Sequence, residues 1–165
     1  LDQAVNDAVL AKFLNCGQSC IAPKRFFIHQ NISDQFIEKL VEKIKNLKIG
    51  NPENLDTDIG PLSKKEFVEK INFQINESIK LGAKVIYKTK TSHSNGFFVN
   101  PIVLKCDSID MPVFKDEVFG PVLPIYIFND NEKIISLANQ TEFGLSASIW
   151  TDDKMIINDF QNNIN

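Results

Sequence analysis

The sequence predicts an α/β fold, an open, largely parallel twisted sheet with helices on both faces. Short apolar runs such as Phe26-Phe27-Ile28 and Val122-Leu123-Pro124-Ile125-Tyr126-Ile127-Phe128 read as buried strands. Between them lie longer stretches whose apolar residues recur at helical spacing, and strands separated by helices favour parallel neighbours. No internal repeat or break in composition divides the 165 residues, a length suited to one domain with its own core.

The elements follow in order. Ala4, Ala8 and Ala11 with Val5 and Val9 give residues 2–13 a helix with a broad apolar side. Residues 25–29 form a strand. From Ser33 the stripe Phe36, Ile37, Leu40, Val41, Ile44 and Leu47 faces away from Glu38, Lys39, Glu42 and Lys43, and Gly50 and Pro52 end that helix. Residues 51–61 are loop. Ser63 and Glu66 have capping-box spacing, with Leu62 and Phe67 placed as a hydrophobic staple, and Phe67, Val68, Ile71, Ile75 and Ile79 carry a helix to a left-handed stop at Gly82. Residues 84–87 make a strand, 89–96 a polar exposed excursion, and 97–104 a strand interrupted at Pro101. After the run from Val122, Asp130 caps a helix through Ile134, Ile135, Leu137 and Ala138; residues 146–150 read as strand, and Met155, Ile156, Ile157 and Phe160 open a last helix.

Composition limits the function classes. The chain is 43% hydrophobic and 24% charged with a net charge of −3, and its cations are spread among acidic residues, so no nucleic-acid partner is expected. No apolar run approaches the roughly 20 residues that cross a bilayer, so no membrane partner is expected either. Three unevenly spaced cysteines do not make a disulfide framework, which points to a reducing compartment, the cytoplasm. The chain opens at Leu1 inside one helical pattern and ends inside another, as expected of a piece of a longer protein.

The chemistry centres on Asn15-Cys16-Gly17-Gln18-Ser19-Cys20-Ile21-Ala22-Pro23-Lys24-Arg25. Gly17 permits a close turn and Pro23 limits any helix, so the segment is a shaped loop presenting Cys20 as a candidate nucleophile, with Lys24 and Arg25 nearby in sequence. The competing reading is a small buried hydrophobe. Cys16, four residues earlier, allows a disulfide only if the two Cα atoms come within roughly 7 Å. Cys106 reads as a packed strand-end residue and His29 as structural, with His93 exposed. Neither histidine lies in a ligand-like cluster, and no metal site is expected. A cysteine hydrolase, with His29 or His93 activating Cys20, is the rival enzyme class.

Asn-x-Gly-Gln-x-Cys followed by Ala-Pro-Lys-Arg resembles the active-site signature of the NAD(P)-dependent aldehyde dehydrogenase family. A second segment, Asp116-Glu117-Val118-Phe119-Gly120-Pro121-Val122, resembles a later landmark of that family in the same order. Leu47-Lys48-Ile49-Gly50-Asn51-Pro52, Ile59-Gly60-Pro61-Leu62, Gly96-Phe97-Phe98-Val99-Asn100-Pro101 and Glu142-Phe143-Gly144-Leu145-Ser146-Ala147 extend the likeness along the whole chain, with the flavour of the succinate-semialdehyde type.

The resemblance implies a catalytic, cysteine-bearing domain over residues 1–165, incomplete, with the cofactor-binding domain and a C-terminal oligomerisation segment lying elsewhere in a homo-oligomeric parent. It implies oxidation of an aldehyde, succinate semialdehyde first and another small aldehyde as the alternative, to the carboxylic acid with NAD or NADP, with Cys20 as nucleophile, Glu117 on the nicotinamide-side ribose hydroxyls and Phe119 beside the nicotinamide. A carboxylate accepts from two hydroxyls at once, and an aromatic ring fixes a flat ring without competing hydrogen bonds. The family's second oxyanion donor, an asparagine, and its general base, a glutamate, match nothing before Asn15, and no Gly-x-Gly-x-x-Gly follows a strand. Some semialdehyde-specific members carry an arginine just before the first motif, where Leu14 stands here, so the aldehyde is left open. The alternative outside catalysis is an inactive folded or assembly module.

Overall fold

The structure, a computed structural model, describes residues 1–90 and 95–165. Helix α1 (Asp2–Phe13) runs through a 3-10 turn (Leu14–Gly17) into the cysteine loop, and β1 (Phe26–His29) leads directly into α2 (Gln30–Lys45). Then come α3 (Lys65–Lys80), β2 (Lys84–Lys88), β3 (Ile102–Cys106), the short α4 (Pro112–Lys115), β4 (Val122–Phe128), α5 (Asn131–Asn139) and α6 (Lys154–Asn163).

The four strands form one sheet in the order β1-β4-β3-β2. β4 pairs in parallel with β1, Phe26 opposite Ile125, and with β3, Ile102 opposite Val122; β2 joins β3 antiparallel with a bulge between Val85 and Tyr87. The expected mostly parallel sheet is therefore present, with one antiparallel edge. Ile102, Val103, Leu104, Val122, Leu123 and Ile125 are fully buried in succession, the signature of strands covered on both faces. Beside the sheet, Phe27 and Tyr126 meet Phe114 of α4 edge to face, with ring centroids 5.6–6.3 Å apart.

Several local expectations shift. α2 starts at Gln30, three residues early, because the His29 imidazole acts as its cap: Nδ1 accepts the Asn31 N–H at 3.2 Å. That gives His29 a structural role as a helix cap.

The capping box does not form. α3 begins at Lys65 with no side-chain cap, and the Ser63 N–H donates instead to the side-chain carbonyl of Gln18 at 3.1 Å. α3 is also rotated relative to the expected stripe. Phe67 is 40% exposed while Ile71, Gln74, Ile75 and Ser78 are buried, because Ser78 Oγ accepts the Val113 N–H at the start of α4 and donates to the Gln74 carbonyl. Gly82 closes α3 as expected, at φ +105°, with the Ala83 N–H donating to the Ser78 carbonyl.

The strand around Pro101 shortens to Ile102–Cys106, and residues 146–150 are not strand at all; they are mostly exposed and no described strand pairs with them. An apolar run becomes a strand only where a ladder partner takes its backbone groups. The expected exposure of His93 lies outside the described residues.

Candidate active site

The cysteine loop is built from its backbone outward. Asn15, Cys16 and Gly17 all adopt positive φ, +50°, +59° and +73°, a left-handed turn that costs energy at the two non-glycine residues. The surroundings hold it there. The Asn15 side-chain amide donates to the Gln18 carbonyl at 3.0 Å, the Gln18 N–H donates to the Asn15 carbonyl, and the Gln18 side chain reaches Ser63. Asn, Gly and Gln of the first motif thus each serve the shape of this turn.

Gly17 also explains why the two motifs meet. A Cβ at Gly17 would overlap the Gly120 carbonyl, and one at Gly120 would overlap the tip of Ile71 on α3. Cysteine loop and second motif therefore meet backbone against backbone, an approach that requires glycine at position 17, and the tip of the Ile71 side chain on α3 packs against Gly120.

The two thiols of the loop diverge. Cys16 is buried, its S–H donating to the Gly60 carbonyl at 3.3 Å, and burial pushes its pKa up. Cys20 is exposed and free, and the pair forms no disulfide. Cys106 is the packed strand-end residue expected, buried with its pKa pushed up to about 12, first by burial and then by Asp107.

Lys24, whose direction the sequence leaves open, connects the predicted residues. Its Nζ donates to the Ser19 carbonyl at 2.7 Å and lies 4.1 Å from the centroid of the Phe119 ring. Burial lowers its pKa, and its interactions with Glu117 and then Cys20 pull the other way. Arg25 points elsewhere, donating to the Ala138 carbonyl at 2.6 Å at the end of α5.

Beside this cluster a cavity of about 480 Å³ is lined by Glu117 and Phe119 together with Gln18, Lys70 and Gln74. Cys20 does not line it. The cavity is lined by Glu117 and Phe119, the thiol stands outside it on the cysteine loop, and Lys24 reaches from that loop to the Phe119 ring. Gln74 Nε2 donates to the Glu117 backbone carbonyl at 3.4 Å, while its buried Oε1 has no partner among the described residues.

Two of these residues were missed in the sequence although a signal existed. Lys12 is 0% exposed, its Nζ unpartnered among the described residues, and burial followed by the charge of Lys24 lowers its pKa to about 7. Its place on one helical stripe with Val5 and Val9 was the clue. Gln74 likewise stands at core spacing between Ile71 and Ile75.

Comparison with known proteins gives this geometry its context. The profile of the aldehyde dehydrogenase family matches residues 1–165. The chain belongs to that family. Among its relatives, the NADP(+) succinate-semialdehyde dehydrogenase of Mycobacterium avium (strain 104) is 41% identical over 153 residues, 93% of this chain and 32% of that protein. The succinate-semialdehyde dehydrogenase structure from Burkholderia pseudomallei superposes with a TM-score of 0.93 at 33% identity, over 99% of this chain and 34% of that one. A 3,6-anhydro-L-galactose dehydrogenase in complex with NAP gives the same TM-score at 29% identity, over 99% of this chain and 35% of that one. The chain thus spans about a third of the length of these aldehyde dehydrogenases.

Proposed function

We propose that the protein carrying this chain oxidises a small aldehyde, succinate semialdehyde foremost, to its carboxylic acid with NADP or NAD, using Cys20 as nucleophile. The observation that supports this reading is the bridge of Lys24 from the loop that carries the exposed thiol to Phe119, which lines the cavity with Glu117. The names of the relatives favour the semialdehyde and NADP, and the exposed Leu14 before Asn15 keeps other small aldehydes in view.

The cavity fits the nicotinamide and ribose end of such a cofactor. Glu117 offers two acceptor oxygens, Phe119 a flat apolar face, and Gln74 an unpartnered acceptor; when bound, the cofactor supplies the acceptor for hydride. The chain's own chemistry lies at Cys20. Its thiolate attacks the carbonyl carbon, forming a C–S bond and moving the π electrons onto oxygen, where the Cys20 backbone N–H is one donor the loop can supply. Loss of hydride from that tetrahedral carbon leaves a thioester on Cys20, and water cleaves it to release the acid and restore the sulfur.

The base that activates this water and the second oxyanion donor are assigned to segments outside these residues, together with the cofactor-binding domain and the oligomerising segment. The isolated chain is accordingly proposed to be inactive. The test is Cys20→Ser and Cys20→Ala in the full-length protein, following NADPH and NADH formation with succinate semialdehyde and a panel of simple aldehydes. Loss of about 10³-fold or more in kcat is expected. Undiminished turnover in both variants removes the thiol from the mechanism.

A further inference from the structure

The first motif carries Lys24 without saying where its side chain goes, and the structure fixes that direction. Its ammonium is fixed from two sides, by the Ser19 carbonyl at 2.7 Å on the residue before Cys20 and by the Phe119 ring at 4.1 Å on the second motif. A lysine on an open surface samples many rotamers, whereas this one is half-buried and has two fixed partners. Its two partners, Ser19 and Phe119, are 100 positions apart in sequence, and their motifs already meet at Gly17 and Gly120.

We propose that Lys24 is a positioning residue that ties the cysteine loop to Phe119 and keeps a positive charge beside Cys20 and Glu117. The inference rests on the dehydrogenase reading for its purpose, though not for its test. A cation held near a sulfur favours the thiolate, the form that attacks a carbonyl, and a cation against one part of an aromatic ring fixes how that ring presents its remaining surface. The same side chain therefore acts on both halves of the site. Its attraction toward Glu117 and Cys20 is consistent with this placement, as is the repulsion between Lys24 and buried Lys12.

The discriminating measurement is alkylation of Cys20 by iodoacetamide in the full-length protein, at one pH and without aldehyde or cofactor, the labelled site assigned by mass spectrometry. Lys24→Met is expected to slow labelling about fivefold, the effect of removing one nearby charge at intermediate dielectric, while Lys24→Arg stays within about twofold of the parent. The NADPH dissociation constant, read from nicotinamide fluorescence, is expected to rise about threefold in Lys24→Met.

Phe119→Leu, which leaves Lys24 in place but removes the ring that holds it, is expected to slow Cys20 labelling as well. The double variant should be no slower than Lys24→Met alone, because both changes release the same tether. If Lys24→Met does not fold, Lys24→Gln and Phe119→Leu carry the same comparison. Labelling unchanged in every folded variant, or strictly additive effects in the double variant, overturns the assignment. Because labelling needs no turnover, a protein that oxidises no aldehyde still answers this question, and an active enzyme with unchanged labelling refutes Lys24 alone.

Discussion

Cys16 and Cys20 stand four residues apart and live in different environments. The first half of the loop, Asn15 to Gly17, is wound left-handed and locked against Gly60 and Gly120, with its thiol buried and the next residue, Gln18, holding Ser63. The second half opens to solvent with Cys20 exposed and leans on a single lysine. One half is a footing and the other a working surface, and the contrast shows that the motif spends its Asn, Gly and Gln on backbone shape. The nucleophile proposed at Cys20 needs such a footing, since small misplacements of reacting atoms are costly in rate.

The largest expected effect breaks the footing. Gly17→Ala places a methyl group inside the Gly120 carbonyl, with the carbonyl carbon at 2.8 Å and the Lys12 carbonyl oxygen at 3.1 Å, and neither backbone can withdraw easily. A loss of about 4 kcal/mol or more in chemical denaturation is expected. Gly82→Ala is the matched control. Gly82 has φ +105° and nothing within 4 Å of a new Cβ, so its cost should be the conformational one alone, about 1 kcal/mol. Equal losses at the two positions would show that the approach of the two motifs is not tight.

Lys12 sharpens the comparison from beneath, because burying its ammonium costs stability that the footing must offset. Its folded pKa, about 7, lies below the ordinary 10.5, so the folded chain holds this proton less tightly than the unfolded one. Below pH 7 both states are protonated and the full cost is present; from 7 to 10.5 the unfolded state binds more protons and stability rises with pH; above 10.5 the cost is gone. Lys12→Met keeps most of the side-chain volume and removes the charge. It is expected to stabilise the protein by a few kcal/mol below pH 7, with about 5 kcal/mol as the ceiling, and the gain should shrink steadily toward pH 10.5. Denaturation midpoints at pH 6 and pH 9.5 measure it, and a gain independent of pH would mean that the amine is not buried as a cation.

Much of this was legible in sequence, for physical reasons that differ by element. The sheet and helices were readable because apolar runs and 3.6-residue stripes record burial directly, as at Ile102 to Leu104 and along Phe36, Leu40 and Ile44. Cys20, Glu117 and Phe119 were singled out only through the resemblance of two motifs, because no spacing rule links a carboxylate to a thiol 97 positions away. Tertiary competition erased the rest. Ser63 had a capping-box partner in Glu66, yet Gln18 claimed its N–H, and residues 146–150 had strand composition without a described neighbour to pair with. Lys12 and Gln74 were hidden differently, since a polar residue on an apolar stripe breaks the pattern by which stripes are recognised.

The smallest effects set the two thiols against each other directly. Cys16→Ala removes a buried sulfur and its bond to the Gly60 carbonyl, so about 1 kcal/mol of stability should be lost. Cys20→Ala removes an exposed side chain and should leave stability within about 0.5 kcal/mol. Reactivity should divide the opposite way. With a bulky aromatic disulfide reagent the native protein is expected to show one fast thiol among these three, retained in Cys16→Ala and absent in Cys20→Ala, because Cys16 and Cys106 are both buried. Should Cys16 also react fast, the left-handed turn opens in solution, and the distinction between footing and working surface would have to be redrawn at Gln18 instead of Gly17.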